Sequence, residues 1–125
     1  MEKNKLSSSI EDYLEVIYEQ LKINKNVKAV EIAKKLKVSR ASVTEALQKL
    51  SAKGYIKYEK NIPIELTETG SKIAESVALR HSVLCDFFQN TLGLEQEEAE
   101  INACKVEHVI TQNAFEKLIE FLKLN

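Results

Sequence analysis

The segment that decides the fold is AVEIAKKLKVSRASVTEALQKLSAKGYIKYEK, residues 29–60. In residues 29–36 the apolar side chains recur one and four positions apart, which predicts a short helix. A two-residue link follows. Ser39 is then a typical helix N-cap residue, and the second helix extends to the stop signal Gly54. Two helices joined by so short a link predict a helix-turn-helix motif.

The residues that follow Gly54 predict a small β-hairpin. Residues 55–59 are rich in aromatic and β-branched types, and residues 64–66 alternate apolar and polar side chains. Asn61 and Pro63 mark the turn between them. A hairpin directly after a helix-turn-helix is typical of a winged helix.

An amphipathic helix is predicted before this motif, because Ser8 and Glu11 fit a capping box and apolar residues then recur at helical spacing as far as Lys25. Residues 1–70 therefore predict a winged helix-turn-helix DNA-binding domain. The second helix of such a motif enters the major groove with its N-terminal residues at the base edges. The residues expected near DNA are Ser39, Arg40, Ala41, Ser42, Thr44, Glu45, Gln48 and, in the wing, Lys60.

The net charge of −1 hides an uneven distribution. Residues 1–66 contain 13 Lys and Arg against 9 Asp and Glu, a net charge of +4, whereas residues 67–125 contain 5 against 10, a net charge of −5. Within residues 22–60 there are 11 basic and 3 acidic residues, a net charge of +8. A block of this kind is typical of a surface that faces a polyanion. A solvated lysine-rich face is the alternative interpretation of the charge alone.

Composition predicts a mainly α-helical globular chain. Hydrophobic residues make up 44%, and the counts of 3 Gly and 1 Pro argue against a loop-rich or all-β fold. No apolar run is long enough to span a membrane, and the first residues lack the apolar core of a secretion signal. The two cysteines show no CxxC spacing, so we expect reduced thiols and a cytoplasmic location.

The C-terminal half, residues 71–125, predicts a helical domain. Thr67 caps a long helix that ends at Gly93, a second helix runs from Glu95 to about Val109, and Thr111 caps the last. Three such amphipathic helices have more apolar surface than they can bury against one another. A homodimer interface is expected to cover the excess.

The two histidines of the chain fall in successive helices of this half, at His81 and His108. Cys104 and Glu107 stand four and one positions before His108, a spacing that places all three on one face of a helix. A thiolate, a carboxylate and an imidazole are ligands of first-row metal ions. The sequence therefore predicts a metal site in the C-terminal half.

A further pair of candidate ligands lies far away in the sequence. Asp12 and Glu15, three positions apart, flank the apolar stripe of the first helix. If they join the metal site, a bound ion would tie the two halves of the chain together. Compensation of the helix dipole by acidic residues in the first turns is the alternative role for this pair.

Several segments together resemble the diphtheria toxin repressor family of metal-dependent bacterial transcriptional repressors. They are SIEDYLEVIYEQL, EIAKKLKVSRASVTEALQKLSAKGYIKYEK, LTETGSKIA, RHSVLCDFF and ACKVEHVI, in the family's order and spacing. The chain ends near the close of the dimerisation domain, so it is similar to the shorter manganese transport regulator branch. The resemblance implies a repressor of metal-uptake genes that binds an operator in double-stranded DNA as a homodimer, with no membrane and no small-molecule substrate.

The metal ligands that the resemblance implies are Asp12, Glu15, His81, Cys104, Glu107 and His108. Asp12 matches the manganese branch, whereas Cys104 matches the iron-sensing members, so Mn²⁺ or Fe²⁺ is the expected cofactor. Zn²⁺ or Co²⁺ is expected to substitute in vitro. Cys85 and Glu100 occupy positions of further ligands in the iron-sensing type and are candidate additional ligands.

The ligand charges favour two ions in each subunit. Two carboxylates on the first helix, one on a later helix and one thiolate bring four negative charges together, and two divalent cations neutralise them. By selecting the arrangement that fits the operator, the metal would act as a co-repressor.

The sequence is also compatible with two other functions. A winged-helix repressor that senses a small organic ligand would bind DNA equally well after chelation. A di-metal hydrolase would need an open coordination position and a general base, and the sequence offers no separate base and no Gly-rich phosphate loop. The chain is therefore not expected to be an enzyme.

Overall fold

The computed structural model describes residues 8–23, 26–59 and 61–124, although the side chains of Ser8 and Leu124 are not described. The chain forms two compact units, Met1–Glu75 and Ser76–Asn125. Both are mainly helical, as the sequence predicts, and a two-stranded sheet is the β-structure of the described residues.

The first unit is a winged helix-turn-helix. Its elements are α1 (Ser8–Ile23), α2 (Ala29–Leu36), α3 (Arg40–Ala52), β1 (Ile56–Lys57) and β2 (Glu65–Leu66). The strands pair antiparallel, with Ile56 opposite Leu66, so the hairpin is confirmed in a shorter form than residues 55–59 and 64–66 suggested. The capping box predicted at the start of α1 lies outside the described side chains.

The core of this unit is built by the apolar stripes that the sequence predicts. Val43, Leu47 and Leu50 of α3 are each at most 1% exposed, and Leu14 of α1 and Ile32 of α2 are fully buried. Burial of one such side chain contributes about 1.5–3 kcal/mol relative to leaving it in water. Burial of this stripe therefore packs α3 against α1 and α2, with its polar face outward.

The turn between α2 and α3 depends on an unusual backbone conformation. Lys37 has a φ of 57° and a ψ of 47°, and its N–H donates to the carbonyl oxygen of Ala33. This left-handed region normally favours glycine, asparagine or aspartate. Ser39 then begins α3, because its side chain accepts a hydrogen bond from the N–H of Ser42 at 3.1 Å.

A glycine permits the first turn of α4 (Glu68–Asp86) to approach the hairpin closely. The hydroxyl of Thr67 donates to the carbonyl oxygen of Gly54 at 2.6 Å and accepts from the N–H of Gly70 at 3.1 Å. A Cβ atom on Gly70 would lie 1.9 Å from the carbonyl oxygen of Tyr55, far inside van der Waals contact. Gly70 is thus required for the start of α4 to meet Tyr55, the residue before β1, and no local pattern in the sequence indicates this role.

The second unit contains the rest of α4, a π-helical turn at Phe87–Thr91, α5 (Gln96–Val106) and α6 (Gln112–Leu124). The prediction of one α-helix from Thr67 to Gly93 was wrong beyond Asp86. The N–H of Leu92 donates to the carbonyl oxygen of Phe87, five residues back, so the turn there is wider than an α-helix. Gly93, with a φ of +78°, ends this segment as predicted.

The second helix of this unit also ends earlier than predicted. Its last residue is Val106 rather than Val109, because the carbonyl oxygen of Val106 accepts from the N–H groups of both Val109 and Ile110 and the chain turns. Glu107 keeps a helical backbone bond to Ala103, but His108 lies in the turn. Glu107 and His108 thus follow the last residue of α5, and that they share a face with Cys104 stays a prediction.

Apolar side chains remain exposed on the second unit. Leu79, Ile101 and Phe121 are each about half exposed, and among the described side chains of α6 only Phe115 is buried. Among the described residues no helix has the length and apolarity needed to cross a membrane.

Candidate metal centre and nucleic-acid interface

The candidate metal centre of the second unit is built around His81. On α4, His81 and Cys85 stand one helical turn apart and share a face. On α5 and at its end, Glu100, Cys104 and Glu107 recur every three to four residues and form a matching face. The two faces meet at the imidazole ring of His81.

Each ring nitrogen of His81 faces a different carboxylate. Nδ1 lies 2.6 Å from Oε1 of Glu107, and Nε2 lies 2.8 Å from Oε2 of Glu100. The hydrogen bond with Glu107 is the main reason that the pKa of His81 rises from 6.5 to about 9, although burial acts in the opposite direction. In the metal-free protein at neutral pH, the imidazolium therefore donates from both nitrogens.

Two thiols flank this imidazole. Sγ of Cys104 lies 3.9 Å from Nδ1 of His81, and the side chain of Cys104 is exposed. Sγ of Cys85 donates to Oε1 of Glu100 at 3.3 Å. Burial raises the pKa of the Cys85 thiol, and the hydrogen bond from Cys85 is the main cause that lowers the pKa of Glu100. Cys104 is thus the more accessible thiol of the two.

The remaining predicted ligands divide between the two units. His108 is 7% exposed, and its Nε2 lies 3.5 Å from Oε2 of Glu107, whose side chain is 1% exposed. Asp12 and Glu15 lie on α1 of the first unit, where both are partly buried and have polar or charged interactions. Their membership of the metal site stays a prediction.

The donor set of the second unit fits a metal ion. One nitrogen of His81, Sγ of Cys104 and a carboxylate oxygen of Glu107 all lie within 4.8 Å of one another. Metal–ligand bonds are about 2.0–2.3 Å long, so atoms at this separation can bind a common ion after small adjustments. A buried carboxylate also requires a positive partner, because an unpaired charge in the interior is costly.

Arg80 also lies at this centre, although no pattern in the sequence predicted a role for it. Its Nη1 donates to the main-chain carbonyl oxygen of Glu107 at 3.2 Å. The available signal was its position next to His81 in the sequence.

The candidate nucleic-acid interface is the outer face of α3. Arg40, Ala41, Ser42, Glu45 and Gln48 are exposed on it, as the sequence predicts for residues near DNA. Thr44 is only partly exposed. The carboxylate of Glu45 lies 3.3 Å from Nζ of Lys49, and both side chains are about 70% exposed. Such a surface ion pair contributes little to stability. The carboxylate of Glu45 can therefore leave Lys49 and accept a hydrogen bond from another group, such as a DNA base.

Two of the predicted DNA contacts are Ser39, at the start of α3, and Lys60, in the wing. The hydroxyl of Ser39 donates to Oγ of Ser42 at 2.9 Å as well as capping the helix, so this side chain stabilises the start of α3. Lys60, the predicted wing contact, lies outside the described residues.

Comparison with known families agrees with both halves of this architecture. Residues 5–62 match the model of the iron dependent repressor N-terminal DNA binding domain. Residues 67–124 match the iron dependent repressor metal binding and dimerisation domain. The chain therefore belongs to the iron dependent repressor family and contains its DNA-binding domain and its metal-binding and dimerisation domain.

Relatives with similar sequences are transcriptional regulators. An HTH-type transcriptional regulator of Methanocaldococcus jannaschii is 39% identical over 119 residues, which cover 94% of this chain and 95% of that protein. The regulator MntR of Bacillus subtilis is 32% identical over 110 residues, which cover 88% of this chain and 77% of MntR.

Solved structures share the fold. The manganese regulator SloR superposes with a TM-score of 0.82 at 29% identity, over 93% of this chain and 54% of SloR. ScaR with bound Zn²⁺ gives a TM-score of 0.78 at 31% identity, over 93% of this chain and 54% of ScaR. The chain thus spans about half the length of these two proteins.

Proposed function

We propose that this chain is a metal-dependent transcriptional repressor, in which Mn²⁺ or Fe²⁺ acts as co-repressor and the regulated genes encode metal uptake. The observation that carries the proposal is the pairing, in one chain, of a winged helix-turn-helix with a clustered set of nitrogen, sulfur and oxygen donors. The protein is not an enzyme in this proposal, because its relatives are transcriptional regulators. It acts in the cytoplasm, where DNA is accessible.

The two domains divide the work. Residues 1–70 bind the operator, with Arg40, Ser42, Thr44, Glu45 and Gln48 of α3 and Lys60 of the wing at the DNA. Residues 71–125 bind metal and form the homodimer, whose two recognition helices must match half-sites about one helical turn, roughly 10 bp, apart. The exposed apolar side chains of the second unit, Leu79, Ile101 and Phe121 among them, supply the dimer interface.

The proposed ligands are Asp12, Glu15, His81, Cys104, Glu107 and His108, and Cys85 and Glu100 can extend the set. A bound divalent cation supplies the positive charge that allows carboxylates and a thiolate to remain close together. To bind such an ion, His81 would release its Nδ1 proton to solvent, the Cys104 thiol would do the same, and the carboxylate of Glu107 would be the third ligand. The acidic pair on the first helix leans towards manganese and the thiolate of Cys104 towards iron.

The test is DNA binding followed by fluorescence anisotropy at fixed salt, since phosphate contacts make affinity salt-dependent. The fragments come from upstream of this gene and of metal-transport genes. Titrations are run in chelator, in Mn²⁺ and in Fe²⁺ without oxygen. Binding that requires a metal supports the proposal, and the more effective ion identifies the co-repressor. Equally strong binding in chelator would contradict it and favour sensing of an organic ligand.

Metal affinity is expected to depend on pH through His81. Its pKa is raised to about 9 in the metal-free protein, so below that pH the ligand nitrogen carries a proton that must leave. Apparent affinity for Co²⁺ should therefore rise about tenfold per pH unit from this group between pH ~6.5 and ~9 and then level off. An unperturbed histidine would level off near its ordinary pKa of about 6.5. Titrations of a Cys104→Ser variant at several pH values check this, because in the wild type the Cys104 thiol must also lose a proton when it binds metal. An affinity that is flat above pH ~7 in that variant would contradict the prediction.

The same raised pKa has a consequence for the stability of the metal-free protein. Protonated His81 stabilises the fold through its two carboxylates, fully at pH values below the unfolded pKa of about 6.5. This contribution is lost as the pH rises through about 9. Melting curves in chelator should therefore separate wild type from His81→Gln at pH ~6 and converge at pH ~9.5.

Replacing Arg40 with alanine is expected to weaken operator binding without changing metal affinity. Arg40 is the first residue of α3 and is exposed, where a guanidinium can reach a base edge or a phosphate. Loss of such a contact costs about 1–3 kcal/mol of binding free energy. Lys53→Ala is the matched control, because it removes one positive charge at the opposite end of α3. An operator complex that is equally stable in both variants would remove Arg40 from the interface.

A further inference from the structure

Two consecutive residues of α4 hold one residue of the candidate metal centre. His81 contacts the side chain of Glu107 at 2.6 Å, and Arg80 donates to its main-chain carbonyl oxygen at 3.2 Å. The first contact controls where the carboxylate points, and the second controls where the backbone of this residue lies. Glu107 is 1% exposed, so its carboxylate has little room to reach a ligand position by another route.

The carbonyl oxygen that Arg80 contacts lies at the C-terminal end of α5. The last carbonyl groups of a helix lack partners within the helix and form the negative end of its dipole. Here the N–H of Glu107 donates to Ala103, and Val106 accepts from Val109 and Ile110, so these bonds complete the final turn. The guanidinium of Arg80 provides a partner for the next carbonyl, with the charge that this end of a helix favours.

We propose that Arg80 is a positioning residue, which fixes the end of α5 so that the Glu107 carboxylate is presented to the metal. The inference rests on the proposed metal-binding function. Once His81 Nδ1 and the carboxylate of Glu107 both serve as ligands, they no longer hydrogen-bond to each other. Arg80 then keeps its main-chain contact with Glu107, because a backbone carbonyl is not consumed by coordination.

The positioning role of Arg80 requires both a positive charge and an N–H group directed at the carbonyl oxygen of Glu107. A guanidinium is planar and always charged, whereas a lysine ammonium is compact and more strongly hydrated. Arg80→Met removes the donor and the charge but keeps an unbranched side chain. Arg80→Lys keeps charge and donors but shortens the reach. Metal affinity should therefore fall in the order wild type, Arg80→Lys, Arg80→Met.

The experiment is a titration of the full chain with Co²⁺, which reports both affinity and coordination. We expect Arg80→Met to bind about 10- to 100-fold more weakly, the usual range for residues that orient a metal ligand. The visible d–d bands of bound Co²⁺ should also change, because the carboxylate of Glu107 is displaced. A purely structural role would lower the melting temperature in chelator without altering these bands.

The control is Lys105→Gln, which removes a positive charge from the last turn of α5, the helix whose end Arg80 contacts. Wild-type affinity and bands in this variant are expected. If it weakens binding as much as Arg80→Met does, the effect is one of general charge and the inference is overturned. Arg80→Met with wild-type affinity and bands would overturn it as well.

Two further outcomes separate this inference from the proposed function. If the wild-type chain itself binds no Co²⁺, Mn²⁺ or Fe²⁺, the proposed function fails and the positioning role fails with it. If Arg80→Met does not fold in chelator, Arg80→Lys decides. An intermediate affinity supports the role, and an affinity equal to that of wild type contradicts it.

Discussion

Glu107→Gln is expected to abolish metal-dependent DNA binding while leaving the helical fold intact. Glutamine has nearly the same shape as glutamate and keeps an oxygen that can accept from Nδ1 of His81, so the packing around this buried side chain survives. The negative charge that a divalent cation needs is lost. Variants of residues that only orient ligands lose about 10- to 100-fold in metal affinity, so loss of a ligand should exceed about 100-fold.

The position of Glu107 explains why the effect should be this large. Its two carboxylate oxygens face the two histidines of the chain, at 2.6 Å from His81 and 3.5 Å from His108. A substitution here removes a carboxylate, and therefore a candidate metal ligand, that both imidazoles approach. The pKa of His81 should also fall, because the hydrogen bond with Glu107 is the main reason for its elevation.

The measurement is anisotropy of operator DNA in Mn²⁺ and in chelator, with circular dichroism as the test of folding. Glu98→Gln is the matched control, since it removes one exposed negative charge from the first turn of α5. The control should respond to metal as wild type does. A Glu107→Gln protein that keeps the full metal response would show that the carboxylate is not a ligand.

Gly70→Ala is expected to destabilise the winged helix by at least about 2 kcal/mol, a typical magnitude for overpacking. The added Cβ would lie 1.9 Å from the carbonyl oxygen of Tyr55, which is backbone and cannot rotate away. The gain of about 0.5–1 kcal/mol from replacing a helical glycine does not offset this clash. In a domain of this size the melting temperature should fall by roughly 10 °C.

The close contact that Gly70 permits between the start of α4 and Tyr55 links three parts of the DNA-binding domain. Tyr55 also accepts from the N–H of Thr67 at 3.0 Å, and Thr67 holds Gly54 and Gly70 through its hydroxyl. If the contact between Gly70 and Tyr55 is forced apart, the wing should move relative to the end of α3. Operator affinity should therefore fall together with stability.

Thermal unfolding of Gly70→Ala and Gly54→Ala compares two different glycine requirements. Gly54 has a φ of +80°, but a Cβ there would meet nothing within 4 Å. Its substitution should therefore cost only the left-handed backbone penalty of roughly 1–2 kcal/mol. Thr69→Ala, an exposed neighbour of Gly70, should be close to neutral. Equal melting temperatures for wild type and Gly70→Ala would mean that α4 begins in another position.

The sequence was sufficient for the helix-turn-helix because each local signal there agrees with the packing. Ser39 caps α3 as predicted, and the stripe of Val43, Leu47 and Leu50 is buried as predicted. Helical periodicity reports which face turns inward, and a cap reports where the helix begins. Both are properties of short segments, so no distant contact is needed to infer them.

Spacing alone was less successful at the ends of the later helices. The π-helical turn after Asp86 and the end of α5 at Val106 depend on which carbonyl accepts each N–H group. Several choices are close in energy, and packing selects among them. His108 therefore lies in a turn after α5, where its Nε2 is 3.5 Å from Oε2 of Glu107.

The sequence by itself determined the fold class, the recognition helix and the residue types of a metal site, because periodicity, capping and ligand chemistry are written in short segments. Only the tertiary structure decided that His81 divides its two ring nitrogens between Glu107 and Glu100, and that Arg80 reaches the main chain of Glu107. It also decided that Gly70 must lack a side chain. These are contacts between segments 15 to 27 residues apart, and their distances depend on how whole helices pack.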